Sequence, residues 1–151
     1  MITVAVSGGF DPVHIGHVRL FKAARALGDR LIVIVNNDYW LMQKKGYVFM
    51  PEQERCEIIR SFRAVDCVHI TDHSSESPDN SVCSELWHIR PDIFANGGDR
   101  GADNMPEYSR CRALGISMVF NVGAGGKVQS SSQLAQRVVT AHMVGLKNAK
   151  D

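Results

Sequence analysis

Short apolar runs alternate along this chain with longer segments whose apolar positions recur every three or four residues. Ile2–Val6 is a β-branched run that stops at Ser7-Gly8-Gly9. From about Gly16 to Leu27 the spacing predicts a helix with Val18, Leu20, Phe21, Ala24 and Leu27 on one side. Gly28-Asp29 follows as its expected C-terminal stop. Arg30–Val35 is apolar after its first residue, which fits a strand covered on both faces, as in a parallel sheet. Pro51–Phe62 predicts a helix, with proline in its first turn and Glu52 and Glu54 near its positive end. The pattern continues with a strand over Val65–Ile70, an exposed polar loop over Thr71–Asn80, a helix over Ser81–Ile89 and a strand over Asp92–Ala95. A helix over Met105–Leu114, a strand over Ile116–Val122 and a last helix from Ser131 to about Leu146 complete it. Asn36–Pro51 is read as a loop, Gly123–Gly126 as a flexible turn and Lys147–Asp151 as a frayed tail.

Strands alternating with helices through short connections predict an α/β fold: a Rossmann-like, doubly wound sheet of about five parallel strands with helices on both faces. The 151 residues suit a single domain over 1–151. Ligands of such sheets sit beyond the C-terminal strand ends. That singles out the loops Ser7–His17, Asn36–Pro51, Asn96–Asp103 and Gly123–Ser132.

Composition narrows the picture by exclusion. Hydrophobic residues make up 44% and charged residues 22%, with a formal net charge of +1, so no global field draws the molecule to nucleic acid or an anionic membrane. No apolar run approaches the ~20 residues needed to span a bilayer. Met1–Val6 lacks a basic region and reads as a strand rather than an export signal, so the expected compartment is the cytoplasm, with reduced thiols. Cys67, His69, His73, Cys83 and His88 match no zinc-site spacing, and no protein-held metal site is expected.

The densest chemistry lies in the first loop. Gly8 and Gly9 let the backbone turn tightly after the first strand and approach a ligand closely. Phe10 and Asp11 follow, and then His14 and His17, three residues apart at a helix start, where they project to one side. The first N–H groups of a helix lack intrahelical partners and carry its positive end, a ready site for phosphate. Gly16 between the histidines is read as leaving room for a bulky anion. Histidine donates from either ring nitrogen and can carry charge near neutral pH, so the pair is placed to stabilise charge on a triphosphate and its leaving pyrophosphate. A buried helix cap is the plain alternative.

At Gly9-Phe10-Asp11 and His14-Ile15-Gly16-His17 the chain resembles the cytidylyltransferase-like nucleotidyltransferase superfamily. The resemblance runs on through Ala26–Val33, Asn36 and Asp38, Glu54-Arg55, Val65-Asp66 and Pro91-Asp92 to Gly97-Gly98-Asp99, and so covers nearly the whole chain. It is nearest to the adenylyltransferase domain of ADP-heptose synthases, then to glycerol-3-phosphate cytidylyltransferases. Pantetheine-phosphate and nicotinamide-mononucleotide adenylyltransferases share the histidine motif and match the rest less well. The resemblance implies transfer of AMP or CMP from ATP or CTP to a phosphorylated sugar, polyol or similar molecule, with Mg2+ on the triphosphate and pyrophosphate released. The heptose-type relatives usually carry a lysine where this chain has Asn96, a departure that leaves the acceptor undecided. Such relatives commonly dimerise, which makes a homodimer an assembly to expect.

The remaining loops supply partners for the same chemistry. Lys44 and Lys45 would neutralise two anionic substrates that otherwise repel; the resemblance favours Lys44 by position, with Lys45 as its substitute. Arg55 is a candidate phosphate contact, with an ion pair to Glu52 or Asp66 as an equal rival. Asp99 is a candidate for ribose or base contact, or a turn cap. Lys127 and Ser130, Ser131 and Ser132 are candidates for phosphate binding, with Ser131 or Ser132 expected to cap the last helix. The spacing around Lys127 is not that of a P-loop, and the glycines at 123–126 follow the last strand, so they are not a dinucleotide fingerprint. The expected reading is therefore a nucleotidyltransferase that binds a nucleoside triphosphate and a small phosphomonoester. A nucleotide-binding sensor that lost its chemistry is the rival.

Overall fold

The computed structural model describes residues 1–98, 101, 105–123 and 130–149. Its elements in chain order are β1 (Thr3–Gly8), α1 (Ile15–Arg25), β2 (Arg30–Val35), α2 (Asp38–Lys45), α3 (Glu52–Arg60), β3 (Cys67–Ile70), α4 (Cys83–Ile89), β4 (Ile93–Ala95), α5 (Pro106–Leu114), β5 (Ser117–Val119) and α6 (Ser131–Asn148). The strands form one parallel sheet in the order β3-β2-β1-β4-β5. The order reverses between β1 and β4, and a crevice opens beyond the strand ends at such a point.

The alternation of side chains along each strand builds two cores. Val4, Val6, Leu31, Val33 and Val35 face α1 and α3, where Phe21, Ala24, Cys56 and Ile59 close over them. Ala5, Ile34 and Phe94 face the other way and pack with Val82, Leu86, Cys111 and Ile116 around α4 and α5. Both faces of the sheet are thus covered, as the continuous apolar run of β2 predicts. No helix among the described residues is long and apolar enough to cross a membrane.

Three local features differ from the sequence reading. The segment read as a loop after β2 contains α2. Asn37 caps its start by accepting from the Trp40 amide, and Gly46, at φ 80°, ends it in the left-handed conformation. Gly28 does not terminate α1, whose cap is Ala26. Gly28 is instead a close-approach glycine: a Cβ there would lie 2.7 Å from the Ile2 carbonyl oxygen. The last helix begins at Ser131 as read, but it is capped by Ser130 and runs past Leu146 to Asn148, exposing Val138, Val139, Met143 and Val144.

Candidate active site

The ends of β1, β2 and β3 lie side by side, with Gly8 in register with Val35 and Val35 with Ile70. Each strand leaves the sheet through a polar junction. The Asn36 amide donates to the Gly8 carbonyl, and the Thr71 amide to that of Val35. Asn37 joins two loops, its amide donating to Thr71 Oγ1 at 3.0 Å and its Nδ2 to the His73 carbonyl at 2.8 Å. His73 is committed to Thr71 Oγ1 and the Ser81 carbonyl, at 2.8 and 2.9 Å, and so serves the scaffold. Among the described residues no three His, Cys, Asp or Glu side chains gather as a metal site requires.

The loop after β1 is folded around its own side chains. Phe10 takes φ 52°, a left-handed conformation uncommon for a bulky residue, and turns its ring into the core. Gly8 makes room for it, since a Cβ at Gly8 would meet the ring at 2.9 Å. Phe10 was a candidate for contact with nucleotide; its side chain is instead buried, packed edge-on against His17 at 4.8 Å and Phe21 at 5.3 Å. Asp11 is fully buried and accepts from the amides of Phe49 and Met50, both at 2.6 Å, which ties this loop to the approach to α3. Its two oxygens are thereby engaged in holding the loop rather than directed at a nucleotide.

His14 and His17 cap α1 reciprocally. His14 is the N-cap, and its Nδ1 accepts from the Gly16 amide at 3.0 Å; the His14 amide donates to His17 Nδ1 at 3.2 Å. The two rings stack with centroids 3.7 Å apart and 24° between their planes. Because backbone N–H groups donate to both Nδ1 atoms, the neutral rings carry their protons on Nε2. Burial, with the neighbouring His14 and the Lys45 ammonium, lowers the His17 pKa from 6.5 to about 3. His17 is therefore a neutral donor at physiological pH, with one nitrogen committed, and not the titrating or doubly donating group the sequence suggested. The room at Gly16 is taken by the His14 ring: a Cβ at Gly16 would lie 2.8 Å from its Cε1.

The cation beside the pair is Lys45. Burial lowers its pKa, Asp11 opposes that shift and Arg55 adds to it, and the Lys45 charge in turn lowers the pKa of His17. Lys44, favoured by position in the sequence, is exposed on the neighbouring side of α2 and lines a different space. Arg55 is corrected more fully. It is completely buried, with Nε on the Met50 carbonyl (2.9 Å), Nη1 on the Gly9 and Asn36 carbonyls (2.6 and 2.7 Å) and Nη2 on Asp38 Oδ1 (2.7 Å). It locks the loops after β1 and β2 to α3 and has no surface to offer a phosphate. Its partner is Asp38 rather than Glu52 or Asp66; Asp66 pairs with Arg25 at 3.2 Å.

The start of α6 reaches the same loop. Ser130 is the cap, so neither Ser131 nor Ser132 has that role. Ser131 is buried and its Oγ donates to the Pro12 carbonyl at 2.9 Å, two residues before His14. Ser132 is exposed. Asp99 and Lys127 lie outside the described residues. A cavity of about 420 Å³ opens beside α2, bounded by Trp40, Lys44 and the loops that follow β3 and β4. Trp40, in the first turn of α2, is a lining residue that the sequence reading did not single out. Its signal was present in the Asn37 cap followed by a turn of helix closed at Gly46, a pattern hidden by treating the segment as loop.

A family profile described as cytidylyltransferase-like matches residues 5–114. An FAD synthase of Pyrococcus abyssi is 34% identical over 118 residues, which cover 78% of this chain and 76% of that protein. The bifunctional protein HldE of Streptomyces coelicolor is 38% identical over 119 residues, 78% of this chain but 24% of HldE. A crystal structure of a lipopolysaccharide core biosynthesis protein from Thermoplasma volcanium superposes with a TM-score of 0.65 at 27% identity, covering 83% of this chain and 99% of that one. The histidine cap at the end of β1, the 3-2-1-4-5 parallel sheet and these similarities lead to one assignment: the chain belongs to the cytidylyltransferase-like family and is a nucleotidyltransferase.

Proposed function

We propose that this chain transfers AMP or CMP from ATP or CTP to the phosphate of a small phosphorylated acceptor, with the triphosphate held at His14 and His17. The carrying observation is the reciprocal cap, in which two stacked imidazoles have their Nδ1 atoms fixed by backbone amides, which puts the ring proton of each on Nε2. An oxygen of the acceptor phosphate forms a bond to the α-phosphorus as the bond to the bridging oxygen of pyrophosphate breaks. The acceptor is already an anion near neutral pH, so no strong base is needed. Catalysis is positioning and stabilisation of the charge that moves onto pyrophosphate. Neutral donors and the Lys45 ammonium suit that task, at the positive end of α1.

Mg2+ is the expected metal. It would arrive on the triphosphate, ligated by phosphate oxygens and water. Asp99 and Ser132 stay in the proposal as nucleotide contacts, and Lys127 as a contact to the acceptor phosphate. The two kinds of relative separate the acceptors to test: FMN by analogy with the FAD synthase, a sugar phosphate by analogy with HldE. The same reading keeps a cytoplasmic homodimer as the expected setting, with no nucleic-acid or membrane partner. A screen for pyrophosphate release, crossing ATP and CTP with a panel of phosphomonoesters, tests the proposal. Saturable nucleotide binding without release across the panel would favour the sensor reading instead.

A further inference from the structure

Two buried side-chain oxygens have no hydrogen-bond partner among the described residues: Asn36 Oδ1 and Glu85 Oε2. Both residues are only 4% exposed, so water does not easily reach either oxygen. Asn36 extends β2 by one residue. Its amide donates to the Gly8 carbonyl and its own carbonyl accepts from Arg55 Nη1, which clamps its backbone on both sides. The alternation along β2 turns its side chain to the side of Ile34, into the layer that Val82 and Leu86 cover. Glu85 stands in the first turn of α4, on the opposite flank of the Val82–Leu86 stripe from Cys83. Cys83 faces α5, whose Glu107 acts on its thiol, and α5 packs on β5 at the far edge of the sheet. Glu85 therefore turns the other way, toward the β2 side. The neighbouring asparagines are committed: Asn37 to the Trp40 amide and the His73 carbonyl, Asn96 to the Phe94 carbonyl. A half-turn of the Asn36 carboxamide exchanges Oδ1 with Nδ2 and sets a donor where the partnerless oxygen stands.

We propose that Glu85 Oε2 accepts from Asn36 Nδ2 in that orientation, and that the pairing fixes Asn36 Oδ1 as a specificity-determining acceptor at the end of β2. Asn36 is the binding residue and Glu85 the positioning residue behind it. One step past the Gly8–Val35 pair, Asn36 stands beside Gly9 of the histidine loop. From there its oxygen favours a substrate that brings a hydroxyl or an N–H to this point over one that brings a carbonyl or bare carbon. Asp99 and Ser132, the nucleotide contacts of the transfer reading, belong to the β4 and α6 side, whereas β2 lies on the other side of β1. The molecule read by Asn36 is thus the phosphorylated acceptor. That assignment rests on the transfer reading; the pairing of Asn36 with Glu85 does not.

Thermal unfolding tests the pairing without any substrate. Asn36→Asp sets two carboxyls together with no donor between them and lowers the melting temperature by about 4 °C or more. Adding Glu85→Gln returns a donor from the other side, and the double variant recovers at least about half of that loss. Glu85→Gln alone leaves the melting temperature within about 1 °C of the parent, because its amide oxygen still accepts from Nδ2. An Asn36→Asp loss that Glu85→Gln does not reduce, or no loss at all, overturns the pairing. Kinetics of pyrophosphate release test what the pairing is for. Asn36→Leu and Glu85→Leu each raise the acceptor KM by about tenfold or more, with the nucleotide KM within about twofold of the parent. Glu85→Gln restores the parent acceptor KM, which separates an acceptor that aims Asn36 from a group needed for its charge. Acceptor KM values untouched in Asn36→Leu remove the specificity role and leave transfer standing. A panel on which no pair releases pyrophosphate counts against transfer alone, and the melting temperatures then still decide whether Glu85 holds Asn36.

Discussion

Acidification should destabilise this protein through His17. The folded pKa of about 3 lies below the unfolded value of 6.5, so as pH falls the unfolded chain takes up a proton first. The stability contributed by neutral His17 is thus complete above pH 6.5 and declines from there toward pH 3. One proton corresponds to about 1.4 kcal/mol per pH unit, so roughly 2 kcal/mol is lost by pH 5. His17→Asn isolates this term. The asparagine Oδ1 can replace Nδ1 as acceptor for the His14 amide, keeping the cap, but it cannot titrate. Urea unfolding at pH 7 and pH 5 gives four stabilities. The parent should lose more than the variant, and the excess should be about 2 kcal/mol. The other five histidines are common to both proteins and cancel to first order. Equal losses in parent and variant would refute the claim that His17 is held neutral by its surroundings.

Arg55→Lys should destabilise by about 3–5 kcal/mol in urea unfolding, because a single ammonium cannot serve three carbonyls and Asp38 from that enclosed position. A loss below about 1 kcal/mol would contradict its part in locking the loops. Gly16→Ala should lower kcat by about tenfold or more with little change in the melting temperature, since the new methyl displaces the His14 ring while alanine suits the helix. Unchanged turnover would mean that the stacked arrangement is not the working one.

Much of this was legible in the sequence, for reasons that can be traced. β2 reads as buried on both faces because it is, with α3 on one side and the β-sheet's second core on the other. The helix after the histidines was readable from its apolar spacing. What the sequence could not convey was the direction in which side chains turn. Phe10 and Asp11 stand in the motif beside His14, yet both point inward, one into the core and one onto two backbone amides. Arg55 has the charge of a phosphate ligand and the surroundings of a rivet. Lys44 and Lys45 are adjacent in sequence, but helical geometry sends them to different places, and that became visible only once α2 was seen to be a helix. Neutral His17 is a consequence of burial and neighbours, which periodicity does not report.

The central claim is that the reciprocal histidine cap presents Nε2–H donors to a reacting triphosphate. Its most direct test compares the parent with His17→Asn in pyrophosphate release, using whichever nucleotide and phosphomonoester pair the screen identifies. The claim predicts that the variant stays folded at pH 7 while kcat falls by about 100-fold or more, the scale of losing a fixed donor from a charge-stabilising site. A folded variant with kcat close to the parent would show that His17 only caps α1.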